Sequence, residues 1–88
     1  NAAFDIWMLG IVLYAMVTAK FPFTGDSVID DIIACRYQIP SNISPSLKHL
    51  LSQIFQPEST RISMVKILYH PWLLCENVSI DSLMLEPV

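Results

Sequence analysis

The chain has 88 residues, enough for one small domain with a modest core. It is 53% hydrophobic and only 15% charged, with a mean hydropathy of +0.50, whereas an average domain carries about 25% charged residues. Its net charge of −3, with five scattered Lys and Arg and no basic stripe, argues against nucleic acid as a ligand. The surplus apolar surface must be hidden by a partner, by a further part of the same fold, or by aggregation.

Asn1 to Phe4 is a short lead-in with no basic residue ahead of the apolar run, so no signal peptide is expected. Position 1 is not methionine, which fits a start inside a longer product or after processing. Asp5 stands where a helix would begin, as a cap and a partner for the dipole. Ile6 to Val17 then runs apolar, long enough for three to four helical turns and too short for a bilayer, which needs roughly 18–20 apolar residues. Trp7, Leu9, Ile11, Leu13, Met16 and Val17 cover most of the helix circumference, the pattern of a helix surrounded by protein. Gly10 inside it costs about 1 kcal/mol relative to Ala, and close approach of another backbone is one reason to tolerate it. Lys20 suits the negative end of the dipole, and Phe21-Pro22-Phe23 stops the helix.

Asp26 and Ser27 are cap candidates for a short helix over Val28–Arg36, with Val28, Ile29, Ile32 and Ile33 on one face. The acids Asp30 and Asp31 read as a solvated face rather than a lure for a basic peptide. Ser44-Pro45 starts a third helix, with Leu47, Leu50, Leu51, Ile54 and Phe55 at amphipathic spacing. Ser63 caps a fourth, with Met64, Ile67 and Leu68 expected to face inward, and His70-Pro71-Trp72 ends it. From Cys75 onward periodicity is weak, and that tail either docks through Leu83, Met84 and Leu85 or stays mobile. Cys35 and Cys75 read as buried free thiols, and no Cys/His set has zinc spacing. The expected fold is all-α, with three to four main helices around the central apolar one.

Three motifs, in order and in register, give the chain a likeness. Asp5-Ile6-Trp7-Met8-Leu9-Gly10-Ile11-Val12-Leu13-Tyr14-Ala15-Met16 with Phe21-Pro22-Phe23 resembles the D-x-W-x-x-G-x-x-L-Y-x-M…P-F segment of helix F in eukaryotic protein kinases. Tyr37-Gln38-Ile39-Pro40 before Ser44-Pro45 resembles their loop between helices G and H, notably in calcium/calmodulin-dependent and AMP-activated-like serine/threonine kinases. Arg61-Ile62-Ser63 with Ile67-Leu68-Tyr69-His70-Pro71-Trp72 is similar to the family's R-x-[ST]…L-x-H-P-W ending. The likeness covers roughly Phe4 to Leu74, implying a partial large-lobe domain over residues 1–74 and a tail over 75–88.

The resemblance also implies what the 88 residues do not carry. The family's Gly-rich loop, ATP-binding Lys, catalytic-loop Asp and Asn, and Asp-Phe-Gly have no counterpart here, nor has Ala-Pro-Glu. No catalytic, cofactor or metal residue is therefore assigned, and ATP and Mg are expected only with a catalytic half on the N-terminal side. The structural carry-overs are Asp5, Trp7, Gly10, Arg61, His70 and Trp72. The family Asp at the Asp5 position holds the catalytic loop; without that loop, Asp5 is expected to act as a helix cap. The family Arg at the Arg61 position pairs with the Glu of Ala-Pro-Glu; without it, Arg61 is expected to turn to solvent or to find an acid such as Glu58. Trp7 and Trp72 are expected in the core, and His70 as a cap or packing residue. Ala15 replaces an acid that reads substrate arginine in some members, Ala19 a usual Gly, and Gln56 a frequent Asp.

Three functional expectations follow: part of a serine/threonine kinase inactive by itself, a helical interaction module, or a poorly folded product. A protein partner or a second copy is expected on the apolar face of helix F, uncovered near Asp5 and Trp7. No membrane or nucleic-acid partner is expected, and the resemblance implies a cytoplasmic location.

Overall fold

The computed structural model describes residues 1–74, and over them the chain is all-α. Helix α1 spans Ala2–Thr18, α2 Val28–Ile33, α3 Pro45–Ile54, α4 Met64–Leu68 and α5 Pro71–Leu74, with a 3₁₀ turn at Glu58–Thr60. Helices α1 to α4 are the four expected, and α5 is a single further turn. No strand occurs among the described residues. The expected tail and Cys75 lie outside them.

Helix α1 begins earlier than Asp5. The Asn1 side chain accepts from the Phe4 amide at 2.8 Å, and the Asp5 amide donates to the Asn1 carbonyl. Asn1 is thus the cap, because the strong helix formers Ala2 and Ala3 carry the helix back to it. Asp5 lies exposed in the first turn, where its charge still suits the dipole. At the other end Ala19 closes the helix in the left-handed conformation, φ 59°, with its N–H on the Ala15 carbonyl. Lys20 lies exposed beyond the last turn.

The left-handed conformation costs a residue with a Cβ roughly 1–2 kcal/mol. Ala19→Gly removes that cost while adding freedom to the unfolded chain. A net gain of about 0.5–1 kcal/mol in urea denaturation is expected; an unchanged midpoint would show that the turn is not strained.

Helix α2 is shorter than expected. A Schellman closure ends it: the Arg36 amide donates to Asp31 and the Cys35 amide to Ile32, with Cys35 at φ 53°. Arg36 also pairs with Asp31 at 2.9 Å, an exposed bridge of small value. The apolar face of α2 is not covered by the described residues: Ile33 is 74% exposed and Ile29 69%. Helix α3 carries the expected Ser44 cap and Pro45 start. Its Leu47, Leu50, Leu51 and Ile54, with Phe55 after them, form the most deeply buried part of the core. Ser63 caps α4 as expected through the Lys66 amide. Ile67 faces inward, but Met64 and Leu68 are exposed, because a five-residue helix presents only one inner position to α3 and α5.

Helix α1 meets the core along one side, through Ile6, Trp7, Gly10 and Tyr14. On its other side Phe4, Met8, Val12 and Met16 recur every fourth residue and are exposed, Met16 at 75%. The expected uncovered face is therefore present, but it does not include Trp7. The turn after α1 brings Phe23 onto the Trp7 ring, stacked at 5.3 Å, and Phe55 meets the same ring edge-on at 5.2 Å. Gly10 permits the approach of α3. A Cβ there would run into Ile54 Cγ2 and lie 3.0 Å from Phe55 Cε1, so side chains rather than a backbone demand the glycine. Gly10→Ala gains about 1 kcal/mol of helix propensity and forces overpacking of about 1–3 kcal/mol. A net loss is expected in the denaturation midpoint; a gain would mean that Ile54 can turn aside.

Candidate functional site

A groove of about 420 Å³ opens at the N-terminal end of α1, between the last turn of α2 and the 3₁₀ turn. Phe4, Ile32 and Ile33 form its apolar walls, Cys35 (a half-buried free thiol) lies at one side, and Arg61 and Glu58 supply its charges.

Arg61 organises this end of the molecule, in a way that corrects the expectation of solvent or an acid. Its Nε and Nη2 both donate to the Gln56 carbonyl, at 3.1 and 2.9 Å, and its Nη1 donates to the Ala3 carbonyl at 2.7 Å. The guanidinium carbon lies 4.8 Å from the centre of the Trp7 ring. Gln56 follows the C-terminal end of α3, where carbonyls lack helical partners and carry partial negative charge. A planar fork satisfies such an acceptor twice and covers an aromatic face at once, so no carboxylate is required. Glu58 instead accepts from the Asn1 side chain at 3.1 Å, which ties the cap of α1 to the 3₁₀ turn.

Two further fastenings complete the scaffold. Tyr14 on α1 donates from its phenol to the Gln38 carbonyl at 2.6 Å, and burial pushes its pKa above the ordinary tyrosine value. Tyr37, next to it, is raised as well, by burial first and then by Tyr14 and Cys35. His70 is buried between α4 and α5. Its Nδ1 accepts from the Trp72 amide at 3.0 Å, so it is indeed a capping residue. Trp72 packs half-buried against the core. His70 is held below the ordinary histidine value by burial first and by His49 second.

The six residues singled out from the sequence do not converge on one centre. Trp7 and Arg61 meet at the groove, Gly10 sits at the α1–α3 crossing, His70 and Trp72 lie at the α5 end, and Asp5 stands free on the first turn of α1. Sequence reading missed His49, whose ring meets His70 across a separation of 21 residues, and the Tyr14 bond to Gln38. Neither separation carries a periodic signal. Among the described residues no group of three His, Cys, Asp or Glu is placed to hold a metal, and no helix is long and apolar enough to cross a membrane.

Comparison with known proteins agrees with this architecture. The protein kinase domain family matches residues 1–73. The chain is 40% identical over 87 residues to mitosis inducer protein kinase cdr2 of Schizosaccharomyces pombe, covering 91% of this chain and 11% of that protein. It is 39% identical over 74 residues to maternal embryonic leucine zipper kinase of Xenopus tropicalis, covering 80% and 11%. It is 38% identical over 74 residues to "Probable serine/threonine-protein kinase MARK-A" of Dictyostelium discoideum, covering 78% and 7%. The chain thus spans about a tenth of the length of these relatives. With three motifs in register, an all-helical fold and a family match over nearly its whole described length, this chain belongs to the protein kinase domain family.

Proposed function

We propose that this chain is the scaffold part of the large lobe of a serine/threonine protein kinase, of the type close to calcium/calmodulin-dependent and AMP-activated-like enzymes. The whole protein would transfer the γ-phosphate of Mg–ATP to protein Ser or Thr hydroxyls, in the cytoplasm. The 88 residues alone would not, since phosphoryl transfer needs groups that cradle phosphates, hold the metal and position the hydroxyl, and their motifs are missing from this sequence. The observation that carries the reading is the open face of α1. Phe4, Met8, Val12 and Met16 form an apolar row with no cover among the described residues, while Trp7 and Arg61 at its edge are already fixed. That row would receive the catalytic half of the lobe. Asp5, exposed on the first turn of the same helix, would be free to hold the catalytic loop.

Calorimetric titration of ATP–Mg and a phosphotransfer assay on the 88-residue chain are expected to show neither stoichiometric binding nor turnover above buffer. Either signal would overturn the proposal. A second reading, a helical interaction module, rests on the same row together with the exposed Ile29 and Ile33 of α2. Light scattering with a hydrophobic dye tests the exposure both rest on: a monomer that binds no dye counts against the module and against the open row that carries the first reading.

A further inference from the structure

We propose that His49 and His70 form a proton-operated clasp, which fastens the α4–α5 end of the chain to α3 only while both rings are neutral. His49 lies on α3 and is exposed; His70 is only 6% exposed. His49 Nδ1 and His70 Nε2 are 2.8 Å apart, and the rings lie edge to edge with centroids at 5.0 Å and planes 26° apart. The other nitrogen of His70, Nδ1, faces the Trp72 amide at 3.0 Å.

The chemistry of these contacts fixes the protons. An amide N–H only donates, so His70 Nδ1 must be bare and the proton of the neutral ring sits on Nε2. Nε2–H then donates to His49 Nδ1, which must be bare in turn, with the His49 proton on its Nε2. Two neutral rings satisfy both bonds. An added proton has no place that keeps them. On His70 Nδ1 it confronts the Trp72 N–H. On His49 Nδ1 it confronts the His70 Nε2–H at hydrogen-bond distance. Moving the His70 proton to Nδ1 relieves that contact but again loses the Trp72 bond. Every protonated form of the pair gives up one fastening.

Among the described residues the elements packed around His70 offer no compensation. Helix α5 has no ionisable side chain, α4 carries Lys66 with Tyr69 after it, and α3 carries Lys48 and His49; of these, His49 is the one that acts on His70. No carboxylate from these elements stands ready to hold an imidazolium. The unfolded His70 protonates near 6.5, and the folded ring below it. Between those values the unfolded chain binds more protons, so stability falls as pH drops through that window and is fully present above about 6.5. The segment released is α5, whose Trp72 and Leu73 pack against the core.

The test is a ¹⁵N NMR titration of the imidazoles and the Trp72 amide in the full 88-residue chain, from about pH 8 to about pH 5. His70 should appear as the Nε2–H tautomer, titrate below about 6.5, and, on doing so, let the Trp72 amide exchange at least about tenfold faster than the change in intrinsic rate. In His49→Asp a carboxylate accepts from Nε2–H and favours the imidazolium, so the His70 midpoint should move above about 6.5. An Nδ1–H tautomer, a midpoint at or above about 6.5 in the natural chain, or corrected Trp72 exchange that is the same at both ends overturns the clasp. So does a His70 midpoint in His49→Asp that does not rise. If that variant fails to fold, the tautomer and midpoint of the natural chain decide.

Discussion

Phe55→Ala is expected to abolish the cooperative unfolding transition of this chain. Phe55 is 1% exposed and closes α3, and its ring meets Trp7, Phe23 and Tyr37 edge-on at 5.2, 5.3 and 4.8 Å. Those rings come from α1, from the turn after it and from the loop after α2, so one side chain is the common contact of three segments. Truncating a buried Phe costs about 3–5 kcal/mol, and small domains hold about 5–15 kcal/mol in all, with short chains near the lower end. The expected loss therefore approaches the whole stability. Far-UV circular dichroism during heating checks it. Phe55→Leu retains most of the volume and should keep a transition at a lower midpoint. Matching melts for Phe55→Ala and the natural chain would show that the core is not built on this ring.

Arg61→Ala is expected to destabilise by about 2–4 kcal/mol, well above the usual effect of losing a partly exposed arginine. The loss has three parts. The Gln56 carbonyl gives up two donors, the Ala3 carbonyl one, and the Trp7 face its cation. Because Ala3 lies in the first turn of α1 and Gln56 just after α3, the two helices also lose a direct tie. Arg61→Lys keeps the charge but not the fork, and should recover less than half of the loss in urea denaturation. Full recovery by Lys would mean that charge alone matters and that the carbonyl contacts are incidental.

Much of the local structure was legible. Ser44-Pro45 and Ser63 announced the starts of α3 and α4, because a cap and its helix lie within a few residues of each other. The period of Leu47, Leu50, Leu51 and Ile54 announced the inner face of α3. On α2 the period named the shared face and nothing more, and on α4 it placed Met64 and Leu68 inward where they are exposed. A period tells which residues share a face, not whether anything lies against that face. The apolar run begins after Asp5 and points to it as the cap, yet Asn1 with two alanines behind it makes the longer helix. For Arg61 the sequence points to an acid, the strongest single partner, whereas the fold supplies carbonyls at helix ends and an aromatic face.

By itself the sequence determined the helical class, the order of the main helices, the family, and an apolar α1 that demands cover. Each of these follows from residues adjacent in the chain or repeated along one helix, where geometry is set by the backbone. The tertiary structure alone decided which side of α1 is covered, that Gly10 makes room for Ile54 and Phe55, that Arg61 rests on Trp7, and that His49 meets His70. Those contacts join segments tens of residues apart, and their geometry depends on how close α3 approaches α1 and α5, a distance that no local pattern encodes.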